Sequence, residues 1–591
     1  MAPKPLLIFD GRCGFCKIWI DYWRQLIGSQ VDFATSQEVG HQYPQIAPEK
    51  FSQSVQLVLA DGKVFEGANA AFRALAFAPG TSWLLWAYEH VPGFAAVAEA
   101  GYRLIAAHRS LFYQVTRFTF GRHVSVLQFA RTEWLFLRLL ASIYLIAFVS
   151  LAVQIRGLVG ERGILPVGRF FPAARQTFGA EAYWLVPSIF WLGHSDAVLL
   201  AACLAGAAIS VLLMLGYLER LALVSLYVLY LSLCAAGQDF LSFQWDILLL
   251  EAGFLAVFLG RSKIVVLLFR WLLFRLMFLS GVVKLASHDP VWRSLSAISF
   301  HYLTQPLPTP LAWYMYQLPF WFQRLSTALV FFVELAIPFL FFGPRMWRFF
   351  AGFCVLALQL LIFATGNYTF FNLLTMALCA FLFDDAALAR LRLPLPERAA
   401  HIAPAAVVAV TSFVLLLSGL ELWEMLFSAS PEPNPVVRLA APFDVVNTYG
   451  LFAVMTATRL EIIVQGSNDG VNWLDYKFPF KPQDLRQAPR WVAPYQPRLD
   501  WQMWFAALSN YQGTPWFANF MVRLLQGSPE VLGLLAGNPF PSAPPKYVRA
   551  EAFDYSFTDL AMHRATGNWW KRTPRGLYFP AISLDDVRTA P

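Results

Sequence analysis

Between residues 134 and 427 apolar side chains gather in long stretches, most of them near the roughly 20 residues that a helix needs to cross a hydrocarbon core. The pattern predicts spans at 134–154, 197–217, 221–238, 241–260, 264–285, 325–343, 346–364, 368–383 and 404–427, eight or nine in all, with 368–383 the shortest. Two longer connections, 155–191 and 286–322, are aromatic and proline-rich. Arg117, Arg122, His123 and Arg131 precede the first span, and a basic flank there favours an N-terminus inside. Arg156, Arg162, Arg169 and Arg175 of the first connection would then lie outside, against the usual distribution.

On either side of the spans the pattern is that of water-soluble folds. Residues 5–9 are an apolar run too short for a signal-peptide core and lead into Asp10, so they read as a β-strand, and the N-terminal region is expected in the cytosol. A cysteine-bearing turn follows, then a helix over 17–26, a strand at 55–60 and the turn Asp61-Gly62. After the spans Pro431, Pro433 and Pro435 predict a stiff linker, because alternate prolines cannot continue a helix. Beyond it the alternation around Leu460, Ile462 and Val464, with the turn Asn468-Asp469-Gly470 before Trp473 and Tyr476, predicts a hairpin. The aromatic stretch 499–508 predicts a helix.

Composition agrees with a membrane protein. Hydrophobic residues make up 58% and charged residues 14%, against roughly 25% charged in an ordinary soluble domain. The net charge of +8 comes from both signs interspersed with no Lys/Arg-rich run, which leaves nucleic-acid binding without support. A lipid bilayer is the partner that composition demands.

Of six cysteines, Cys203, Cys234, Cys354 and Cys379 are isolated in apolar runs, where cysteine behaves as a small hydrophobe. Cys13 and Cys16 form a Cys-x-x-Cys pair between strand and helix. There the helix N-terminus would stabilise a Cys13 thiolate and Arg12 would add positive charge, with Cys16 one turn on to resolve a mixed disulfide. Three readings stay open: a working dithiol, inert thiols, or half of a zinc site. Zinc needs about four ligands; no second Cys pair exists and His41 has no partner at ligand spacing, so no metal is expected and no cofactor is called for.

Ionisable residues inside the spans are costly and are functional candidates by default. They are Arg138, Asp246, Glu251, Arg270, Arg275, Lys284 and Glu334. Their signs allow Asp246 and Glu251 to pair with Arg270, Arg275 or Lys284 on the next span, either to fix packing or to build a buried site. His301, Tyr302 and Gln305 form a polar cluster before Pro306 in the second connection, and Arg498, Asp500 and Trp501 a third group in the tail. For each the plain alternative is structural: a proline-rich loop bonding its own backbone, and an Arg498–Asp500 ion pair.

The segment Asp10-Gly11-Arg12-Cys13-Gly14-Phe15-Cys16 resembles the signature of the DCC family of thiol-disulfide oxidoreductases. The likeness extends through Asp61-Gly62, Gly67-Ala68-Asn69-Ala70-Ala71, Val91-Pro92 and Arg109. It implies a thioredoxin-like α/β fold with Cys13 and Cys16 catalytic, although no proline precedes Val55, where thioredoxins carry one. In the spans, Phe243-Gln244-Trp245-Asp246 through Glu251-Ala252-Gly253-Phe254, Ser280-Gly281-Val282-Val283-Lys284-Leu285 and Phe300-His301-Tyr302-Leu303-Thr304-Gln305 resemble successive blocks of the lipase maturation factor family. Asn447-Thr448-Tyr449-Gly450, Gly466-Ser467-Asn468-Asp469-Gly470 and Pro497-Arg498-Leu499-Asp500-Trp501 continue the likeness into the tail.

The fold expected is therefore multi-domain: a thioredoxin-like domain at 1–115, a polytopic α-helical bundle at 116–430 and a β-rich soluble C-terminal domain at 431–591. The resemblance implies a multi-pass membrane factor that helps exported proteins such as lipases to mature, in the endoplasmic reticulum of a eukaryote or the plasma membrane of a bacterium. A thioredoxin-type protein is the redox partner expected for the dithiol. The spans also resemble, more distantly, vitamin K-dependent carboxylases, which implies a second possibility: an intramembrane enzyme or transporter built on Lys284 with Asp246, Glu251 and His301.

Overall fold

The computed structural model describes residues 4–122, 124–395, 402–427 and 432–589; His123 and Pro431 fall outside them. The chain divides into two compact units, residues 1–128 with 342–350, and 129–341 with 351–591.

In the first unit four strands, β1 (Leu6–Phe9), β2 (Asp32–Thr35), β3 (Gln56–Val58) and β4 (Val64–Glu66), form a sheet in the order β2-β1-β3-β4. β1 and β2 are parallel and joined by helix α1 (Gly14–Ile27), while β3 and β4 are antiparallel about Asp61-Gly62. Gly62 takes φ 84°, which only glycine adopts without strain. Leu7, Phe9 and Leu57 of the sheet meet Ile20 and Ile27 of α1 in one core with Ala70 and Ala74 of α2 (Gly67–Leu75). Helix α3 (Phe94–Ala107) closes it: Glu99 accepts the N–H groups of Ala68 and Asn69, and the Tyr102 hydroxyl accepts that of Val55. Helix α4 (Arg109–Phe120) packs along α1.

Among the described residues seven helices are long and apolar enough to span a bilayer: Ala130–Ala152, Asp196–Leu215, Glu219–Leu241, Lys263–Ala286, Phe320–Phe342, Arg345–Thr365 and Pro404–Phe427. The two other predicted spans are shorter than expected. The stretch 241–260 contains only the 13-residue helix Gln244–Ala256, about 20 Å long at 1.5 Å per residue. It is buried on nearly every side, and a short helix that never meets lipid need not match the bilayer thickness. The stretch 368–383 bends by 109° into Asp385–Leu391. There the Asp385 carboxylate accepts the N–H groups of Ala130, Arg131 and Thr132 at 2.8–3.2 Å, capping the first span.

The second unit also contains the C-terminal sheet, β5 (Arg459–Ser467), β6 (Leu474–Asp475), β7 (Tyr547–Phe557) and β8 (Trp570–Ile582), antiparallel in the order β6-β5-β7-β8. The predicted hairpin is β5–β6: Asp469 accepts the N–H groups of Val471 and Asn472, and Gly470 takes φ 77°. The predicted aromatic helix forms as Arg498–Ala507. Pro435 does not extend a stiff linker; it opens the short helix Pro435–Ala440, whose first turn has no use for its missing N–H.

Candidate functional site

Cys13 is the N-cap of α1. Its Sγ accepts the Cys16 backbone N–H at 3.2 Å and lies 2.6 Å from the Cys16 thiol, with both residues partly exposed. The donated Cys16 thiol proton, with the Cys16 N–H and the Arg109 guanidinium acting the same way, lowers the Cys13 thiol to about 6 against the effect of burial. Donating its proton to Cys13, and buried more deeply, the Cys16 thiol is driven far up. The pair is thus polarised as a nucleophile and a protonated partner, which is what exchange with a disulfide requires. The cation beside the pair comes from Arg109 of α4, which donates to the Gln53 carbonyl at 2.6 Å and faces Asp10 at 4.0 Å. Arg12, expected in that role, is exposed and gives its backbone N–H to Asp10. No cluster of three or more metal-ligating side chains occurs among the described residues.

In the second unit the intramembrane charges join the tail to the helices. Arg498 grips Asp246 through two nitrogens at 2.9 and 3.0 Å, and Tyr230 donates to the same carboxylate at 2.5 Å. Gln154 accepts the Arg498 N–H at 2.9 Å and donates to the Gln496 carbonyl at 2.8 Å. Glu251 pairs with Arg275, as its sign allowed, and its other oxygen accepts from Asn447 N–H at 3.0 Å and Tyr449 hydroxyl at 2.7 Å. Residues 444–455, irregular in backbone, thus reach Glu251 seven residues into its helix. Such backbone is tolerated at depth only where protein satisfies it. Arg275 closes the ring on the Asn447 carbonyl at 2.8 Å.

Lys284 does not meet Asp246 or Glu251. It bonds both oxygens of Glu334 at 2.8 Å and lies over the Trp292 ring. Arg270 donates to the Phe381 carbonyl at 2.9 Å. His301 meets the Tyr368 hydroxyl at 3.1 Å, which donates to Gln305 at 3.0 Å, and Gln305 in turn donates to the Thr365 carbonyl. Burial, then the charge of Lys284, holds His301 down at about 4, so it is neutral at pH 7. Tyr302 is buried beside this chain of bonds without joining it through its hydroxyl. The expected Arg498–Asp500 pair does not form: Asp500 accepts the N–H groups of Phe480 and Lys481 at 2.9 and 2.8 Å, and burial raises it to about 6. Trp501 packs edge-on against Trp245.

Comparison with known proteins gives these sites a context. Residues 131–390 match the family model described as lipase maturation factor transmembrane domain, 445–580 match the lipase maturation factor C-terminal domain, and 7–115 match the DCC1-like thiol-disulfide oxidoreductase. Lipase maturation factor 2 of Xenopus laevis is 35% identical over 581 residues, covering 76% of this chain and 82% of that protein. The chain belongs to the lipase maturation factor family. Lipase maturation factor 2 of Homo sapiens is likewise 35% identical, over 76% of this chain and 82% of its own length, and lipase maturation factor 1 of Bos taurus 35% identical over 78% and 91%. No solved structure matches.

This lipase maturation factor family member is a multi-pass membrane protein with a DCC1-like thiol-disulfide domain, and its family blocks converge in space. Asp246, Glu251, Arg275, Asn447, Tyr449 and Arg498 bond to one another where tail meets helices, Gln305 receives Arg459 of the tail at its carbonyl, and Lys284 pairs with Glu334 among the helices. Sequence reasoning missed Tyr230, Gln154 and Asn367, which accepts Val492 and Ala493 N–H groups at 2.7 and 2.9 Å. Tyr230 and Gln154 sit in apolar runs or at a span end, and Asn367 stood out only as the start of an Asn-Tyr-Thr sequon, which says nothing of this contact. Arg109, by contrast, stood in the DCC likeness without an assigned role.

Proposed function

We propose that this protein is a membrane-integral maturation factor for exported proteins such as lipases, with residues 1–115 supplying thiol-disulfide exchange, 116–430 the membrane bundle and 431–591 the client-facing domain. The observation that carries the redox part is the Cys13 thiol held as an acceptor by both the Cys16 N–H and the Cys16 thiol. Cys13 attacks a partner disulfide, and Cys16, losing its proton as the mixed disulfide forms, releases the reduced partner while Cys13–Cys16 closes. A thioredoxin-type protein returns the pair to the dithiol. The printed names of the relatives support lipases as clients. The buried Arg498–Asp246 pair and the bonds of Asn447 and Tyr449 to Glu251 support a tail held firmly at the membrane, where the exposed side chains of Trp491 and Leu508 are available to apolar client surface. The membrane is the plasma membrane in a bacterium and the endoplasmic reticulum in a eukaryote, with residues 1–115 on the cytosolic side.

An intramembrane enzyme on Lys284, Asp246, Glu251 and His301 is the weaker reading. Each carboxylate is already engaged by a cation and by further donors, and Lys284 is taken by Glu334, so none of these three groups stands ready to move a proton.

A Cys16→Ser variant of the full chain, expressed with an exported lipase, tests the proposal. It should trap disulfide-linked partners on Cys13, and deletion of the protein should lower the yield of active lipase. Absence of any trapped species removes the redox half, and unchanged lipase yield removes the maturation half.

A further inference from the structure

Helix α4 presents two faces, and the first unit uses one of them. Phe112 meets Phe15 at 6.5 Å and Phe120 meets Trp19 at 6.2 Å, with Phe15 and Trp19 both on α1. Tyr113 covers Gly14 so closely that a Cβ built there would lie 3.3 Å from its ring. The other face is a stripe of Leu111, Val115 and Phe118, spaced i, i+4 and i+7 so that they share one side of the helix. They are 55%, 46% and 69% exposed.

The stripe ends at the membrane boundary. Residues 343–344 separate the spans Phe320–Phe342 and Arg345–Thr365 and so mark a turn at the bilayer surface. The 21 residues of Arg345–Thr365 reach about 31 Å, close to the roughly 30 Å of a hydrocarbon core, which sets Met346 and Trp347 at its edge. Residues 342–350 belong to the same compact unit as α4. Within it Phe118 meets Trp347 edge-on at 6.4 Å, and a Cβ on Gly121, just past the helix, would lie 3.4 Å from the Met346 sulfur.

The flank of the stripe is basic. Between Glu99 and Glu133 the chain holds five arginines and no acidic residue. Arg117 on α4 and Arg122 just beyond it are exposed. Arg117 reaches over the Tyr113 ring at 5.6 Å, a contact that leaves its charge in place.

We propose that α4 lies in the plane of the bilayer interface, with Leu111, Val115 and Phe118 at the acyl-chain boundary and Arg117 and Arg122 among anionic headgroups. Lipid fits this face because the stripe continues from Met346 and Trp347, which already stand at the edge of the bilayer, and because a basic flank on an amphipathic helix suits an anionic surface. The opposite face of α4 carries Arg109 and Tyr113 to the dithiol, so docking sets Cys13 beside the headgroups.

Leu111 is the discriminating position, because it lies about 10 Å along the helix from Phe118 and an upright α4 would leave it in water. The test uses the full chain in vesicles of dioleoyl-phosphatidylcholine mixed with dioleoyl-phosphatidylglycerol. A photoreactive p-benzoylphenylalanine replaces one residue, and mass spectrometry identifies what it captures on illumination. Probes at Leu111 and Val115 should capture lipid, and a probe at Lys63, exposed in the β3–β4 turn, should capture little. Arg117→Gln with Arg122→Gln removes two positive charges and should lower lipid capture at Leu111 about fivefold or more. Capture of protein or of a second copy at Leu111, no capture there, as much lipid at Lys63 as at Leu111, or a yield unmoved by the arginine changes would each overturn the proposal.

Discussion

Arg498 and Asp246 lie 252 residues apart in sequence and share two hydrogen bonds of 2.9 and 3.0 Å, with both side chains almost wholly buried. A pair so placed is expensive to break from one side, because the charge left behind has no water to turn to. Arg498→Met should therefore destabilise the protein by about 3–5 kcal/mol, and adding Asp246→Leu should recover most of the loss. Thermal unfolding of the detergent-solubilised chain, followed by tryptophan fluorescence, measures both. If the double variant is as unstable as the sum of the single ones, the pair is not what ties tail to helices.

The Cys13 thiolate gives a prediction with a pH axis. Alkylation of the reduced protein by iodoacetamide should rise through about pH 6, well below the ordinary thiol value of 9.0. Cys16→Ala removes the largest cause, the donated thiol proton, and should return the midpoint most of the way; Arg109→Gln should raise it less. Because the folded value lies below the unfolded one, Cys13 stabilises the reduced fold fully above the unfolded value and loses that contribution as pH falls through about 6. A midpoint unmoved by Cys16→Ala contradicts the geometry.

Lys284 and Glu334 separate packing from chemistry. Lys284→Met alone buries the Glu334 carboxylate without a partner and should lower the yield of folded protein sharply, by an equivalent of about 3–5 kcal/mol. Lys284→Met with Glu334→Leu should restore both folding and client maturation. A double variant that folds normally but matures no client would revive the enzyme reading.

Much of this architecture was legible in the residues. Long apolar stretches located seven spans because a spanning helix must be apolar over most of its length, and Asn468-Asp469-Gly470 located the β5–β6 turn because glycine accepts the backbone it requires. The junction was legible only in part. The sign of Glu251 named Arg275 among its possible partners, but Asp246 finds Arg498 across 252 residues, and local pattern carries no information about such long-range pairing. The short helix Gln244–Ala256 misled for a related reason: helices hydrophobic all round look alike in sequence whether lipid or protein surrounds them.

Gly206 provides the test of packing between the first two spans. A Cβ built there would sit 2.3 Å from the Phe148 ring, so glycine is what lets the helix Asp196–Leu215 approach Ala130–Ala152 this closely. That is the role small residues play where helices associate without a hydrophobic drive. Gly206→Ala, harmless or helpful to a free helix, should here cost about 1–3 kcal/mol through overpacking. Phe148→Leu should suppress the defect by freeing the space, although it creates a modest loss on its own. Unfolding midpoints of the two single variants and the double variant decide it: a Gly206→Ala protein as stable as the parent would mean that the two helices do not meet as closely as the ring contact requires.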